Sequence, residues 1–266
     1  MSGFLAAILD RKRRENERRH AHLALHDPTR LAHPRRDPEA TIRALRRAST
    51  GEPRAIAEVK RASPSEGTIR AWQPGQSVAI AKAYERAGAA AISVLCDRAG
   101  FGGGVLDLRR VVSAVDRPVL FKEFVLDPIQ VDLAASVGAS LVLLLVRALN
   151  ADPLVTLMRR CRSHGLVPVV EAADAREVAI ARELGAEVIG VNARDLATFR
   201  VDPKAARAAL ADIEEPRVAI YMSGIASRQD LLDLAGARCD AVLIGSHLMR
   251  APDPGHKLAQ LLGTAT

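Results

Sequence analysis

Aromatic side chains are scarce in this chain: Phe, Trp and Tyr together make up 3% of its residues. Surfaces that grip single-stranded nucleic acid stack bases on interleaved aromatics, so that class finds no support. Cysteine is also sparse. Cys96, Cys161 and Cys239 lie far apart and form no CxxC pair, which argues against zinc clusters and disulfide frameworks and fits a reducing compartment. Long apolar runs are missing as well. The opening stretch MSGFLAAILDRKRRENERRH becomes charged too soon for a secretory signal or a membrane span, and no later window supplies one. A soluble, cytoplasmic protein with no membrane partner is the expectation. Neither a Gly-x-Gly-x-x-Gly turn between strand and helix nor a Walker loop occurs, so no nucleotide cofactor is expected.

Core material, by contrast, is plentiful. Hydrophobic residues are 48% of 266, enough for one large α/β domain or two small ones. With so few aromatics the core is built from Ala, Leu, Val and Ile, as in strands covered on both faces. The formal net charge is +7, and nearly all of the excess is N-terminal: residues 1–50 hold 12 Lys and Arg against 6 Asp and Glu, the remainder 26 against 25. An arm with several acids and no aromatics reads as a solvated helix face, not as a nucleic-acid surface.

Short apolar runs recur at 55–60, 90–96, 118–124, 140–146, 166–172, 187–193, 217–224 and 241–246. Amphipathic segments such as SVAIAKAYERAG and AREVAIARELG separate them, most ending in the Gly that follows a helix C-terminus. Eight strands alternating with helices predict a (β/α)8 barrel, the TIM-barrel fold, over residues 51–266. An open doubly wound sheet would tolerate eight strands too. A barrel, however, concentrates functional polar residues at the C-terminal ends of its strands, and Glu58, Lys60, Lys122, Glu171, Asn192, Ser223 and Ser246 all stand there. Residues 1–50 read as an N-terminal helical extension packed on the barrel. Its helices are expected around Phe4 to Leu25 and Pro38 to Ala48, joined by the polar linker HDPTRLAHPRRDP. His20, His22 and His26 include an i, i+4 pair, but no acid or HExxH arrangement accompanies them, so a solvated helix is expected and no metal.

Side chains two apart on a strand share a face, so Glu58 and Lys60 project together into the barrel mouth. Each offsets the other's desolvation; a structural ion pair that plugs the barrel is the competing reading. Lys122 and Glu171 repeat the pattern on two further strands. Two lysines and two carboxylates converging on one opening point to positioned acids and bases. Asn192 and Arg194 share a face at the sixth strand, and Asp195 reads as a cap for the turn beyond. After strands seven and eight stand Ser223-Gly224 and Gly245-Ser246, the adjacent loops where such barrels often bind phosphate, with backbone N–H groups of the following helices in reach. The run GFGGG, Gly100 to Gly104, is either a flexible turn or a loop whose backbone approaches the ligand, with Phe101 covering an apolar ring.

Taken together, IAEVKRASPSEG, FGGG, PVLFKEFVLDPIQV, GLVPVVEA, IGVNARDL, SGIASRQDL and LIGSHLM resemble the indole-3-glycerol-phosphate synthase family, in order and with consistent spacing over roughly residues 55 to 250. The resemblance implies a cofactor-free carboxy-lyase of tryptophan biosynthesis acting on 1-(2-carboxyphenylamino)-1-deoxyribulose 5-phosphate. It implies Lys122 as the general acid of ring closure, Glu171 as a carboxylate handling a proton nearby, and Lys60 with Glu58 as acid and base of the dehydration. Asn192 and Ser223 match positioning residues, Arg194 a supporting arginine, and Gly224, Gly245 and Ser246 a phosphate cradle. The loop at Ser63 to Ser65 is expected to close over the substrate, and the basic N-terminal helices to lie across the mouth. A monomer is favoured. Two positions depart from the family pattern: Met222 where it usually carries Glu, and Ala193 where a second Asn often stands. They leave open a variant or duplicated copy with altered substrate or low activity, and a non-catalytic phosphosugar-binding barrel; another phosphosugar enzyme, such as an Amadori-type isomerase, would give Glu58, Lys60, Lys122 and Glu171 no clear reason to stand together.

Overall fold

The eight apolar runs become eight parallel strands: β1 (Arg54–Val59), β2 (Ala91–Leu95), β3 (Val119–Lys122), β4 (Leu141–Leu145), β5 (Val167–Ala172), β6 (Val188–Asn192), β7 (Val218–Met222) and β8 (Ala241–Ile244). Each pairs with its sequence neighbours, and β1 pairs with both β2 and β8, so the sheet closes on itself. The protein is thus a (β/α)8 barrel. This computed structural model describes residues 3–23, 37–48, 51–196 and 198–265; the linker of the extension and His26 lie outside the described residues, as does the side chain of His22.

Strand parity divides the core in two. Ile56, Leu120, Leu141, Leu143, Val167, Val169, Val188, Val218, Ile220 and Leu243 fill the barrel interior. Their neighbours, among them Ala57, Ile92, Phe121, Leu144, Val170, Ile189, Ala219 and Val242, pack outward against the helices. Helix entry is dictated locally. Among the described residues, four helices begin with an Asp N-cap followed by Pro, at Asp37, Asp127, Asp202 and Asp253, each carboxylate accepting from a first-turn N–H, an arrangement in which Pro gives up no needed donor. Ser227 and Asp230 close a capping box on Arg228–Ala235.

The two N-terminal helices serve opposite ends of the barrel. The first, Gly3–Leu23, lies across the C-terminal mouth: Asn16 bonds Gln130 at 2.8 Å, His20 bonds Asp127 at 3.0 Å, and the Phe4 ring meets Phe199 edge-on at 5.1 Å. The second, Pro38–Leu45, does not, contrary to the expectation for both. Leu45 is fully buried and joins the interior cluster, while Arg46 and Arg47 donate to the carbonyls of Pro216 and Ala235 at 2.6 and 2.8 Å. Its apolar face stoppers the N-terminal end, which the strands leave open.

The loop after β1 forms a hairpin that the sequence pattern did not announce, Ala62–Ser63 against Gly67–Thr68. Arg61 ties one side down, bonding Asp107 at 3.0 Å and lying 4.6 Å over the Trp72 ring. Arg70 ties down the other through the carbonyls of Met249, Ala251 and Pro252.

Candidate active site

Inward parity at the strand ends selects the site. Glu58, Ser93, Lys122, Glu171, Asn192 and Met222 continue the inward rows of β1, β2, β3, β5, β6 and β7, and all but Ser93 line one cavity of about 110 Å³ in the mouth. Lys60 Nζ lies 3.2 Å from Glu58 Oε1, and the other Glu58 oxygen accepts from Ser93 Oγ at 3.3 Å. Lys122 Nζ donates to Glu171 Oε2 at 3.4 Å. Asn192 Nδ2 holds the second Glu171 oxygen at 3.0 Å, while its own carbonyl accepts from Ser223 Oγ at 2.8 Å and from the Arg194 backbone N–H at 3.0 Å. Two acid–base pairs on separate strands therefore face one space, and buried charges of this kind are held only when paired.

Ser223 reaches the network by backbone conformation. The residue inward on β7 is Met222, so alternation alone would turn Ser223 outward. Instead Ser223 adopts φ 72° and Gly224 φ 83°, a left-handed turn that costs a non-glycine residue about 1 kcal/mol or more and swings the hydroxyl onto Asn192. Phe199, the other non-glycine residue described with positive φ, offers its carbonyl to Arg194 Nη1 at 3.1 Å.

At the β7 and β8 end a second cavity of about 200 Å³ opens beside the first, lined by Lys60, Arg194, Gly224, Gly245, Ser246 and Arg250 among others. Gly245 has no room for a side chain: a Cβ there would collide with Glu58 Oε1 and approach Lys60 Nζ to 3.1 Å. Backbone thus comes up to the Glu58–Lys60 pair where the phosphate cradle was expected.

Ser63, Pro64 and Ser65 line the mouth cavity with Phe101, Phe124 and Leu143. Of the two readings of GFGGG, a flexible turn does not describe what forms. Arg98–Phe101 is a helical turn capped by Asp97, whose carboxylate accepts from Gly100 N at 2.7 Å, and a Cβ at Gly103 would collide with the Leu95 carbonyl. Gly103 thus answers to packing and Gly102 to its left-handed place at the end of the turn (φ 63°), while a Cβ at Gly104 would meet open space; Phe101 is left beside Phe124, ring centroids 6.3 Å apart. Asp195 caps its turn as anticipated, accepting from Thr198 N at 2.7 Å. Arg194 lines both cavities.

Several residues escaped sequence reasoning. Lys12 is 1% exposed and lies 2.7 Å from Asp97 and 3.0 Å from Glu123, the residue next to Lys122. Burial pushes the Glu123 carboxyl up to about 7, against the pull of Lys12; the Lys12 contact and the Gly100 N–H hold Asp97 low despite its own burial. Nothing in the local pattern distinguishes Lys12 from the solvated basic residues around it. Ser93 and Glu66 were likewise overlooked, although the inward parity of Ser93 on β2 was a usable signal. Met222 is 1% exposed and packs with the interior leucines while touching the cavity; its thioether offers no charge and only a weak acceptor.

A closed parallel barrel with paired acids and bases at its C-terminal mouth defines a TIM-barrel enzyme. The family model for indole-3-glycerol phosphate synthase matches residues 5–261, and the chain belongs to that family. It is 42% identical over 210 residues to an indole-3-glycerol phosphate synthase of Aquifex aeolicus, covering 78% of this chain and 80% of that one. With the enzyme of Syntrophobacter fumaroxidans it shares 40% over 267 residues, 99% and 98% of the two chains. With indole-3-glycerol phosphate synthase 2 of Streptomyces coelicolor it shares 39% over 269 residues, 99% and 100%. Among solved structures, a mutant tryptophan synthase alpha-subunit of Pyrococcus furiosus superposes with a TM-score of 0.60 at 13% identity, covering 80% of this chain and 97% of that one; this likeness is one of fold.

Proposed function

We propose that this chain closes the indole ring: it converts 1-(2-carboxyphenylamino)-1-deoxyribulose 5-phosphate to indole-3-glycerol phosphate, carbon dioxide and water, as a cytoplasmic enzyme of tryptophan biosynthesis. The observation that carries the reading is the convergence of Lys60–Glu58 and Lys122–Glu171 on one cavity beside the Gly224 and Gly245-Ser246 loops.

The phosphate sits against the β7 and β8 loops, and the carboxyphenyl ring takes the apolar wall of Phe101, Phe124 and Leu143. The ring carbon bearing the carboxylate attacks the ketose carbonyl; a carbon–carbon bond forms as the carbonyl π pair moves to oxygen. Lys122 supplies the proton that oxygen needs, a contact worth most in the transition state. Glu171, fixed by Asn192, lies beside the cationic ring system. Loss of carbon dioxide returns its bonding pair to that ring and restores aromaticity, with the iminium as electron acceptor. Lys60 then protonates the hydroxyl, which leaves as water, while Glu58 removes a proton from the adjacent carbon and the indole double bond forms.

A non-catalytic barrel is the second reading, and Met222 is the feature that favours it, because a carboxylate usual in the family is replaced by an apolar group. Mixing the protein with the carboxyphenylamino ribulose phosphate and following indole fluorescence decides between them. Turnover at an ordinary enzymatic rate supports ring closure; tight binding with no indole formed would overturn it.

A further inference from the structure

The tip of the hairpin after β1 carries a carboxylate that neither the sequence patterns nor the proposed chemistry uses. Glu66 Oε1 accepts from Ser246 Oγ at 3.0 Å and Glu66 Oε2 from Arg250 Nη2 at 2.7 Å. Its side chain is only 17% exposed and lines both the mouth cavity and the cavity at the β7 and β8 loops. We propose that Glu66 is a specificity-setting residue: a built-in anion that occupies the donors of the phosphate cradle and must be displaced before a phosphate can take them. This inference rests on the reading that the β7 and β8 loops receive the substrate phosphate.

The argument is one of shared donors. A carboxylate and a phosphate ester both present paired oxygens, and a hydroxyl with a guanidinium suits either. Both oxygens of Glu66 are engaged here, one by each donor. The hairpin that delivers them is not free to drift, because Arg61 anchors one side on Asp107 and Arg70 the other on the carbonyls that end the Ser246–Arg250 helix. Its tip is folded back on itself through Glu66 N donating to Ser63 O at 3.2 Å. An arriving phosphate therefore exchanges places with the Glu66 side chain or stands next to it as a like charge, and both outcomes weaken binding. A bare anion meets that penalty with contacts at the cradle alone. A ligand that also engages Lys122 and the apolar wall at its far end overcomes it. Glu66 thus selects for phosphates tethered to a second group and keeps free phosphate out of the site.

Calorimetric titration of inorganic phosphate into the wild-type chain and into Glu66→Gln tests this. The variant keeps the shape of the side chain and removes its charge; it is expected to bind phosphate about tenfold more tightly. Glu66→Ala, which leaves no acceptor at the tip, is expected to shift affinity in the same direction, and a melting curve for each variant shows that it is folded. Equal affinity in wild type and variants overturns the competition while leaving the cradle in place. Weaker binding in the variants overturns it too, and makes Glu66 an organiser of Ser246 and Arg250. Phosphate bound by none of the three proteins removes the cradle itself, and the competition with it.

Discussion

Lys122 Nζ stands 3.4 Å from Glu171 Oε2 across the barrel mouth, on strands two apart in the barrel order. That spacing leaves the lysine paired yet turned toward the cavity, as a proton donor to a bound ketone needs to be. Replacing it by Met keeps the length and removes the proton. The expected result is a fall in kcat of roughly 10²- to 10⁴-fold with little change in KM, since the interaction strengthens chiefly in the transition state. Steady-state kinetics on the carboxyphenylamino ribulose phosphate measures it, and wild-type turnover would remove Lys122 from the mechanism.

Asn192 joins Glu171 to Ser223 through its two amide atoms. Removing either end of the chain leaves Glu171 less well aimed, so Asn192→Ala and Ser223→Ala are each expected to lower kcat about tenfold. The double variant should lose much less than the product of the two, as groups acting in one network do. Multiplicative losses would mean that the two residues act separately.

The backbone at Gly245 comes so close to Glu58 and Lys60 that a methyl group cannot be added without moving the pair. Gly245→Ala is expected to cost about 1 to 3 kcal/mol of stability and to depress activity further than the lost stability explains. Denaturation midpoints and kinetics, read together, separate the two effects.

Gly190 pairs with Ile220 on β7, but the Met222 side chain lies over it: a Cβ at 190 would collide with the Met222 methyl and lie 3.0 Å from its sulfur. Gly190→Ala should therefore destabilise the barrel by about 1 to 3 kcal/mol, and Met222→Ala in the same chain should recover part of that by emptying the space. Additive losses in urea unfolding would show that the two side chains do not compete.

Glu123 has its proton affinity raised from 4.5 to about 7 by burial. A carboxyl whose folded value exceeds its unfolded value is protonated more in the folded chain, so its contribution to stability declines as pH rises from about 4.5 to about 7 and is constant above. Asp97, held low, runs the other way: its contribution is full above its usual value and is lost only as pH falls below it. Glu123→Gln mimics the protonated group and is expected to remove the decline between about pH 5 and about pH 7. Melting temperatures across that range, wild type against variant, measure the difference; parallel curves would contradict the assignment.

Much of this molecule can be read along the chain. Strand periodicity of two puts Glu58 with Lys60 and Asn192 with Arg194 on shared faces, because the face a strand residue occupies depends only on its count along the strand, and a place at a strand end singles out Lys122 and Glu171. Apolar runs alternating with amphipathic segments gave the eight strands, and polar residues at the strand ends pointed to their closure; the Asp-Pro helix starts became visible only in the fold. Ser223 stands at a strand end, but the parity rule turns it outward; only its left-handed turn brings it to Asn192.

Other features were decided by residues far apart in sequence. Lys12 looks like any member of a basic helix until Asp97 and Glu123 are folded around it. Leu45 belongs to a short amphipathic helix whose destination, the bottom of the barrel, is set by an opening that exists only once β1 to β8 have closed. Glu66 is an ordinary turn residue until Ser246 and Arg250, some 180 positions later, arrive beside it. Periodicity and capping are local and so are written in the order of residues; the partner of a charge and the void that an apolar face fills are made by the closed fold.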